Sequence, residues 1–489
     1  MTIRYKLSKS RFLSGFQCQK KLWLEKHHPE LKAVTPDSQQ AILDQGTRVG
    51  ELAREQFRDG VLIEADYDEI PLALKQTVDA LSRGFTTIFE GCFIHNEILV
   101  RPDVLVQDES GSWQLIEVKS TTRVKDEHLV DVAIQKYVLD GCGIEIQSCH
   151  LMHIDTACVF PDMGDLFEVE DITEDVEPLL EWIPVRAIEY FQTLESKDEP
   201  ERQIGEHCKS PYECPFIPHC WKHVPEYSVF TIPRFGWIKK QNHIDQDVLQ
   251  LEEVDESVLN EKQLRYQQSY REQRPIIDQG AIHAEVSRLN YPIYFLDFET
   301  EGPAIPWIDG MHPFEQFPFQ FSCHILTEEG TLTHEEYLHQ NQSDPRISVA
   351  QALVDTINPQ GSIVAYNAPF EKRFIKNLAF WAPTLARDLK AMLPRFWDQL
   401  VIFRNYYTDF RFHGSASIKD VLPVIVPGLS YKDLPVSDGG LAQLTWNKYI
   451  RSTNESERAE LRRDLLDYCG QDTFAMVEIH RYLVNVTSN

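Results

Sequence analysis

The segment CFIHNEILVRPDVLVQDESGSWQLIEVKST, residues 92–121, decides how the first half of the chain is interpreted. Two apolar runs flank QDESGS, whose Asp, Ser and Gly residues are typical of a hairpin connection. Side chains two apart on a strand share a face, so we expect Glu117 and Lys119 to project together, with Asp103 joining them from the neighbouring strand. Converging carboxylates bind hard divalent cations. The pattern therefore predicts a metal site on a hairpin, and the alternative is a set of solvated charges.

The spacing of RPD (101–103) and EVK (117–119) resembles the PD-(D/E)xK nucleases, and more specifically their RecB-like branch. This resemblance implies that Asp103 and Glu117 hold a metal ion and that Lys119 orients water or stabilises charge on phosphate. It implies catalytic roles for all three residues.

Two features depart from the RecB-like pattern. A helical Gln-x-x-x-Tyr usually follows the lysine, whereas Gln135 and Tyr137 stand two apart and share no helical face. We expect both residues to contact nucleic acid. An upstream metal-binding His is also common, and the comparable place holds Gly50 with Glu51 beside it as a substitute ligand.

Four of the ten cysteines suggest a second kind of site. Three recur at intervals of six and the fourth lies far upstream, and thiolates suit zinc or iron-sulfur clusters. The Cys-x-x-Cys knuckle of structural zinc sites is missing here, although zinc recruiting His207 or His219 is one alternative and four unrelated apolar cysteines another. One early and three late cysteines around a RecB-like core resemble the iron-sulfur nucleases of the CRISPR-adaptation and AddB type. That resemblance implies a 4Fe-4S cluster held by Cys18, Cys208, Cys214 and Cys220.

A further set of acids lies in the second half of the chain. FLDFET (295–300) places Asp297 and Glu299 on one face of a strand, and LLDYCGQDTFAM (465–476) places Tyr468 and Asp472 one helical turn apart. Together with VAYNAPFEKRFI (364–375), this order resembles the DEDD, or DnaQ-like, exonucleases in their tyrosine-containing form.

The DEDD resemblance implies an RNase H-like fold with two metal ions among the acids. It matches Asp297 and Glu299 to the first motif, Asn367 and Glu371 to the second, and Tyr468 and Asp472 to the third. Asp297, Glu299 and Asp472 would hold metal, and Tyr468 would orient the water. Glu371 replaces the usual Asp, and Asp398 supplies a further acid. The alternatives are a strand and helix that are only structural, or an inactive DEDD-like fold that only binds nucleic acid.

The bulk composition fits a multidomain α/β protein. With 489 residues, 42% hydrophobic and 25% charged, two or three domains are expected. We predict a RecB-like domain with the cysteine cluster over 1–223, a helical connector over 224–290 and a DEDD exonuclease-like domain over 291–489. No run approaches the length of a membrane span and no secretory signal is evident, so we expect a cytoplasmic protein without membrane contact.

The net charge of -28 counts against nucleic acid, yet the segment 4–23 is basic and aromatic. We expect this segment, including Lys20 and Lys21, to follow a single strand, and a solvated helix is the alternative. The sequence contains no P-loop, so we expect action on single strands, free ends or duplex opened by a partner.

The whole chain is similar to a bacterial family that fuses a RecB-like, cysteine-cluster nuclease to a DEDD-like domain, in SGFQCQKKLWL, LDFET, GSASIKDVLP and YCGQDT. The resemblance implies a Mg²⁺- or Mn²⁺-dependent deoxyribonuclease, in exonuclease form, with two active centres. It would serve repair, recombination or anti-phage defence beside a helicase or another partner from those systems. The rival predictions are a nucleic-acid-binding scaffold with degenerate sites and an RNase.

Overall fold

The computed structural model describes residues 5–432 and 434–488. The fold is mixed α/β and divides into two units, which we call unit 1 (Met1–His223 with Pro303–Glu315) and unit 2 (Val224–Gly302 with Gln316–Asn489). Residues 224–290, expected to form a separate connector, fall within unit 2. Residues 303–315, expected in the second domain, fall within unit 1, where Met311 and Gly310 exchange backbone hydrogen bonds with Phe160.

The described residues of unit 1 form nine strands. They are β1 (Leu7–Ser8), β2 (Val61–Leu62), β3 (Thr87–Phe89), β4 (Phe93–His95), β5 (Ile98–Val100), β6 (Val104–Gln107), β7 (Trp113–Lys119), β8 (Ile146–Ile154) and β9 (Phe167–Asp171). Six of them form a sheet in the order β2-β3-β6-β7-β8-β9, and three form a smaller sheet in the order β1-β5-β4.

Eight helices accompany these strands over the described part of unit 1. They are α1 (Lys9–Gln17), α2 (Gln19–His27), α3 (Asp37–Arg54), α4 (Ile70–Ser82), α5 (Asp126–Gly141), α6 (Thr173–Val176), α7 (Trp182–Glu195) and α8 (Ile217–Cys220). Short 3₁₀ turns cover Pro29–Leu31, Glu177–Leu179 and Glu206–Cys208.

The predicted hairpin is confirmed. Strands β6 and β7 are antiparallel, with Val104 opposite Ile116, and the turn closes because the Asp108 carboxylate accepts the backbone N–H groups of Ser110 and Ser112. Helix α5 is the crossover between the parallel strands β7 and β8, as a parallel pair requires. Its inner side packs Val132, Ile134 and their neighbours into the core of the unit. This arrangement places α5 beside the end of β7.

Unit 2 is built on a five-stranded sheet in the order β13-β12-β11-β14-β15. The strands of the unit are β10 (Ile276–Ile277), β11 (Ile293–Glu301), β12 (Phe317–Leu326), β13 (Leu332–Leu338), β14 (Ser362–Ala365), β15 (Phe396–Asp398) and β16 (Tyr407–Thr408). The pairs β11/β12 and β12/β13 are antiparallel, and β14 is parallel to both β11 and β15.

Ten helices lie within residues 224–302, 316–432 and 434–488 of unit 2. They are α9 (Trp237–Asp245), α10 (Glu261–Glu272), α11 (Gln279–Val286), α12 (Arg346–Thr356), α13 (Ala368–Trp381), α14 (Ala386–Met392), α15 (Leu400–Asn405), α16 (Ile418–Ile425), α17 (Gly439–Arg451) and α18 (Glu455–Thr487). Short 3₁₀ turns cover Leu251–Glu253, Glu256–Val258, Leu393–Arg395 and Phe410–Phe412. A search of the described helices for a bilayer-spanning segment finds none.

Two elements position the acids of unit 2. Strand β11 is the predicted apolar strand, and its register sets Asp297 opposite Ser322 and Glu299 opposite Gln320, just before a bulge. Helix α18 starts where the Asn454 side chain accepts the backbone N–H groups of Ser456 and Glu457. Its buried side faces the sheet and carries the third acidic motif.

Candidate functional site

The predicted acids of unit 1 come together, but basic side chains already contact them. The buried Glu117 carboxylate accepts hydrogen bonds from Lys119 Nζ at 2.6 Å, from Lys9 Nζ at 2.8 Å and from Gln135 Nε2 at 2.8 Å. Asp131, on α5, bridges the two ammonium groups, with distances of 2.7 Å to Lys119 and 3.3 Å to Lys9. The result is a closed ion network.

The lysines of this network stabilise the ionised form of Glu117 more than that of Asp103. Burial acts to raise the pKa of Glu117, but Lys119 and Lys9 overcome that effect and hold it well below its ordinary value. Asp103 accepts the Val118 backbone N–H at 2.7 Å, and burial together with the Glu117 charge raises its pKa to about 7. Asp103 is therefore the acid that lacks a strong cationic partner.

The unit 1 acids do not fit a divalent cation in this arrangement. Both Glu117 oxygens already accept hydrogen bonds, one of them from two ammonium groups. A cation bound to Glu117 would have to displace one of these hydrogen-bond donors or share an oxygen with it. We therefore derive no metal-dependent step from the unit 1 residues.

Three other unit 1 residues were predicted to contact nucleic acid or metal, and each makes a contact within the protein. Gln135 is fully buried and fixes the Glu117 carboxylate, so the expectation that it contacts nucleic acid is corrected to a positioning role. Tyr137 lies on a different side of α5, where its hydroxyl accepts a hydrogen bond from Asn96. Glu51, the expected substitute for the missing histidine, is exposed and pairs with Arg48 at 2.9 Å.

The basic N-terminal segment is largely engaged in intramolecular contacts. Lys20 pairs with Glu199 at 2.6 Å, and Lys21 donates to the Gln17 side chain at 2.8 Å. Arg4 lies outside the described residues. The exposed single-strand path expected for Lys20 and Lys21 is therefore replaced by internal hydrogen bonds, and both lysines line the cavity of the cysteine group.

The four predicted cysteines line one small cavity. Cys18 lies between α1 and α2, and the loop after α7 carries Cys208, Cys214 and Cys220 to the same place. All four are free thiols, and the remaining wall is formed by Leu24, Ile204, Phe216, Ile217 and basic residues. Burial raises the pKa of Cys18, Cys214 and Cys220, that of Cys214 to about 11.

Two histidines lie near these thiols and differ in their contacts. His207 also lines the cavity, and its Nε2 lies 3.7 Å from Cys208 Sγ. His219 Nε2 instead contacts the Glu199 carboxylate at 3.1 Å. Thiolates with or without a histidine bind zinc, and four thiolates also bind an iron-sulfur cluster.

The acids of unit 2 gather without an ion-paired partner. Asp297 and Glu299 on β11 and Tyr468 and Asp472 on α18 line a common cavity of about 420 Å³. Oxygen atoms of Asp297 and Glu299 and the Cys469 sulfur lie within 4.8 Å of one another. No ion pair joins Asp297, Glu299 or Asp472 to a basic side chain among the described residues, so their oxygens remain open to a cation.

Mutual repulsion sets the electrostatics of this cavity. Burial, and then the charge of Asp472, raises the pKa of Asp297 and Glu299 well above the ordinary value. Burial raises the pKa of Asp472 to about 6, although a hydrogen bond from Tyr431 opposes the rise. Burial and these acids raise the pKa of the Cys469 thiol strongly, so it stays protonated. The available ligands are therefore hard carboxylate oxygens.

Glu371 lies on the first turn of α13 and is 2% exposed. Burial raises its pKa to about 8, with a further contribution from Asp398, and its Oε2 atom has no hydrogen-bond partner among the described residues. The charge of Glu371 contributes to the raised pKa of Asp297. An orphaned buried oxygen beside the acid cavity is what a further metal ligand requires. Asn367, matched to the same motif, precedes α13 in a left-handed conformation with φ of 90°.

Two residues that were not predicted from the sequence belong to this site: Lys419 lines the cavity, and Tyr431 contacts one of its acids. The Lys419 ammonium lies 5.6 Å from the ring centroids of Tyr431 and Tyr468 and donates to the Ser437 carbonyl. Tyr431 donates to Asp472 Oδ1 at 2.6 Å. Lys419 lies in GSASIKDVLP, which carries part of the family resemblance, whereas no signal pointed to Tyr431.

Comparison with known proteins identifies part of unit 2 but gives no activity. The profile of a domain of unknown function, DUF2779, matches residues 294–417. This segment includes Asp297, Glu299 and Glu371 and ends before Tyr468 and Asp472.

The curated relatives are uncharacterized proteins. One from Mycoplasma pneumoniae is 31% identical over 220 residues, which cover 40% of this chain and 32% of that protein. One from Ureaplasma parvum is 25% identical over 280 residues, which cover 52% of this chain and 39% of that protein. The chain thus spans about a third of the length of these relatives. Among solved structures, SSO0001 matches 45% of this chain and 87% of its own at 14% identity and a TM-score of 0.22, too low to establish a shared fold.

Proposed function

We propose that this protein is a metal-dependent deoxyribonuclease whose working centre is the acid cavity of unit 2. The observation that carries the proposal is the cluster of Asp297, Glu299 and Asp472, which line one cavity and, within the part of the chain that the structure describes, form no ion pair with a lysine or arginine. Carboxylates held this close favour a divalent cation, because each ionised group destabilises the others until a cation is present. The resemblance to DEDD exonucleases supports phosphodiester hydrolysis at single-stranded or opened DNA ends.

The cavity residues fit Mg²⁺ or Mn²⁺ by their donor chemistry. Asp297, Glu299 and Asp472 would hold the ions, and the orphaned Oε2 of Glu371 would complete the set. The neutral Cys469 thiol donates to the Asp297 carbonyl and offers no competing soft ligand. When bound, the ions would lower the pKa of water and neutralise charge on the phosphate.

The chain's own residues have distinct tasks around a phosphodiester. Burial and the charge of Asp472 raise the pKa of Tyr468 strongly, so its phenol stays protonated and is able to donate a hydrogen bond to an attacking water. Lys419 supplies positive charge in the same cavity, where it balances phosphate oxygens. Tyr431 holds Asp472 in place.

Cleavage of end-labelled DNA tests this proposal. We expect Mn²⁺ or Mg²⁺ to support cleavage, a chelator to abolish it, and Asp297→Asn to lower the rate at least ~100-fold, about 2.7 kcal/mol of barrier. Asp388→Asn, an exposed acid on α14, is the matched control. Cleavage that survives Asp297→Asn and Asp472→Asn would contradict the unit 2 assignment. RNA cut faster than DNA would make the protein an RNase, and binding without cleavage would make it a scaffold.

The same assay examines a second centre in unit 1. If Asp103→Asn removes a cleavage product that Asp297→Asn leaves intact, the closed network around Glu117 opens to metal during turnover. If Asp103→Asn leaves every product unchanged, unit 1 has no centre of its own.

We also propose that the cysteine cavity of unit 1 holds a 4Fe-4S cluster. Four free thiols that line one cavity, together with the resemblance to iron-sulfur nucleases, support this proposal. Protein purified without air should be brown, with visible sulfur-to-iron absorption that Cys214→Ser removes and Cys142→Ser, at an exposed thiol elsewhere in unit 1, retains. A colourless protein with stoichiometric zinc would overturn the cluster.

A further inference from the structure

A cavity of about 840 Å³ lies beside the acid cavity in unit 2. No sequence motif pointed to it. Elements from distant parts of the unit form its walls: the start of α10, the turn at Pro233 and Arg234, helix α15, and the loop 412–418. Tyr366 and Ile418 line both cavities, so the two spaces adjoin. Its volume lies in the upper part of the range of about 300–1,000 Å³ that ligand clefts occupy.

The charge of this cavity is opposite to that of the whole chain. Its walls carry Arg234, Lys262, Arg265 and Arg404. The two acids of the walls are Glu261 and Asp409, and Asp409 is already neutralised by an ion pair with Arg411 at 2.6 Å. In a protein of net charge -28, such an excess of cations points to a polyanionic ligand.

The cations have not been neutralised within the protein. Over the described ranges 5–432 and 434–488, no ion pair involves Arg234, Arg265 or Arg404. The buried Nε of Arg265 also lacks a hydrogen-bond partner there. An unsatisfied guanidinium nitrogen is costly, and a phosphate oxygen would satisfy it.

Backbone strain and an aromatic wall complete the cavity. Arg234, with φ of 52°, and Asn367, with φ of 90°, hold left-handed conformations that are rare for residues other than glycine. Tyr366 is partly exposed, stacks on Phe403 and donates its hydroxyl to the Ala416 carbonyl. A fixed ring at the junction of the two cavities offers a surface on which an unpaired base stacks.

We infer that this basic cavity binds the phosphate backbone of a single-stranded nucleic acid and leads its end past Tyr366 into the acid cavity. Arg234, Arg265 and Arg404 contact phosphates, and Tyr366 stacks on a base. A duplex would not present the free base face that this contact needs. The inference deepens the proposed function and rests on it for the direction in which the strand runs.

Binding without metal tests the inference separately from catalysis. Fluorescence anisotropy of a short fluorescein-labelled oligothymidylate with the full chain in EDTA reports affinity while cleavage is prevented. We expect Arg234→Gln with Arg404→Gln to weaken binding roughly 10-fold and to reduce the salt slope by about 1.4, because each lost single-strand phosphate contact contributes about 0.7. Arg387→Gln with Lys390→Gln, two exposed cations on α14, is the charge-matched control and should bind as wild type does.

Other variants and substrates locate the contact. Asp297→Asn should bind at least as tightly as wild type in EDTA, because it removes an acid that repels phosphate, and a blunt duplex of the same length should bind more weakly than the single strand. An oligonucleotide carrying 5-iodouracil should crosslink to Tyr366. Wild-type affinity in the Arg234/Arg404 variant, equal weakening in the control, or crosslinks confined to unit 1 would each overturn the inference.

The two proposals fail in different ways. If the cavity variants lose binding while Asp297→Asn retains cleavage, the strand path stands and the proposed catalytic centre falls. If Asp297→Asn abolishes cleavage while the cavity variants bind and cleave normally, the centre stands and the strand path falls.

Discussion

Both units gather aspartate, glutamate and lysine in a buried place, but they balance the charges differently. In unit 1, Glu117 is held between Lys9 and Lys119, and Asp131 pairs with the same two ammonium groups. In unit 2, Lys419 donates to a backbone carbonyl, while Asp297 and Glu299 repel Asp472. The same residue types thus form a closed ion network in one unit and an open set of ligands in the other. The two units therefore differ in the groups that accept hydrogen bonds from lysine, which are carboxylates in unit 1 and a backbone carbonyl in unit 2. The number of acids does not explain the difference.

The largest expected effect is an opposite change in stability when one glutamate of each unit is neutralised. Glu117→Gln should destabilise unit 1 by about 2–3 kcal/mol, somewhat less than the ~3–5 kcal/mol for a fully buried pair, because Lys9 and Lys119 keep some exposure. Glu299→Gln should stabilise metal-free unit 2 by up to ~1 kcal/mol, since it removes repulsion. Urea unfolding in EDTA measures both changes.

Exposed strand acids provide the controls for that experiment. Glu168→Gln on β9 and Glu335→Gln on β13 should each change the free energy of unfolding by less than ~0.5 kcal/mol. If Glu117→Gln and Glu299→Gln change the free energy of unfolding in the same direction, the two units do not differ in how their acids are balanced.

The second effect is a pH dependence of opposite sign in the two units. Burial raises the pKa of Asp472 to about 6 and that of Glu371 to about 8, above unfolded values near 4, so the folded state binds more protons between these limits. Metal-free unit 2 should therefore lose stability as pH rises from about 4 to 8. Glu117, whose pKa is lowered, stabilises unit 1 above about pH 4 and loses that contribution as pH falls.

Asp103 in unit 1 also has a raised pKa, so the pH dependence of the whole protein mixes contributions from both units. A variant and added metal separate the contribution of unit 2. Asp472→Asn should reduce the stability that unit 2 loses as pH rises. Saturating Mn²⁺ should make unit 2 more stable as pH rises, because the cation binds the ionised acids. A pH profile of wild-type unfolding that Asp472→Asn and Mn²⁺ leave unchanged would contradict the open-ligand description.

The smallest effect concerns the hydroxyl that holds Asp472. Tyr431→Phe removes a hydrogen bond that lowers the pKa of Asp472. The midpoint of the pH–rate profile for Mn²⁺-dependent cleavage should rise by about one pH unit or less, the equivalent of ~1.4 kcal/mol. Tyr270→Phe, a ring elsewhere in unit 2, should leave the profile unchanged. A downward shift for Tyr431→Phe would contradict this role of the hydroxyl.

Local sequence rules predicted the parts of the sites that lie on one element or on two consecutive ones. The hairpin that joins Asp103 to Glu117 followed from its turn residues, and the pairs Asp297/Glu299 and Tyr468/Asp472 followed from strand and helix periods. The four cysteines were grouped by resemblance, and they do line one cavity. The boundary at residue 223 was likewise visible in a segment rich in Pro and Cys.

Contacts between distant segments decided the rest, because no periodicity relates residues that meet only after folding. Lys9 reaches Glu117 across 108 positions, and Tyr431 reaches Asp472 across 41. The basic cavity likewise joins α10 to the loop 412–418. The sequence by itself therefore determined which acids are available on each strand and helix. Only the tertiary structure decided which acids are neutralised by lysine and which stay open, because Coulomb energies depend on through-space distance and burial, and chain separation fixes neither.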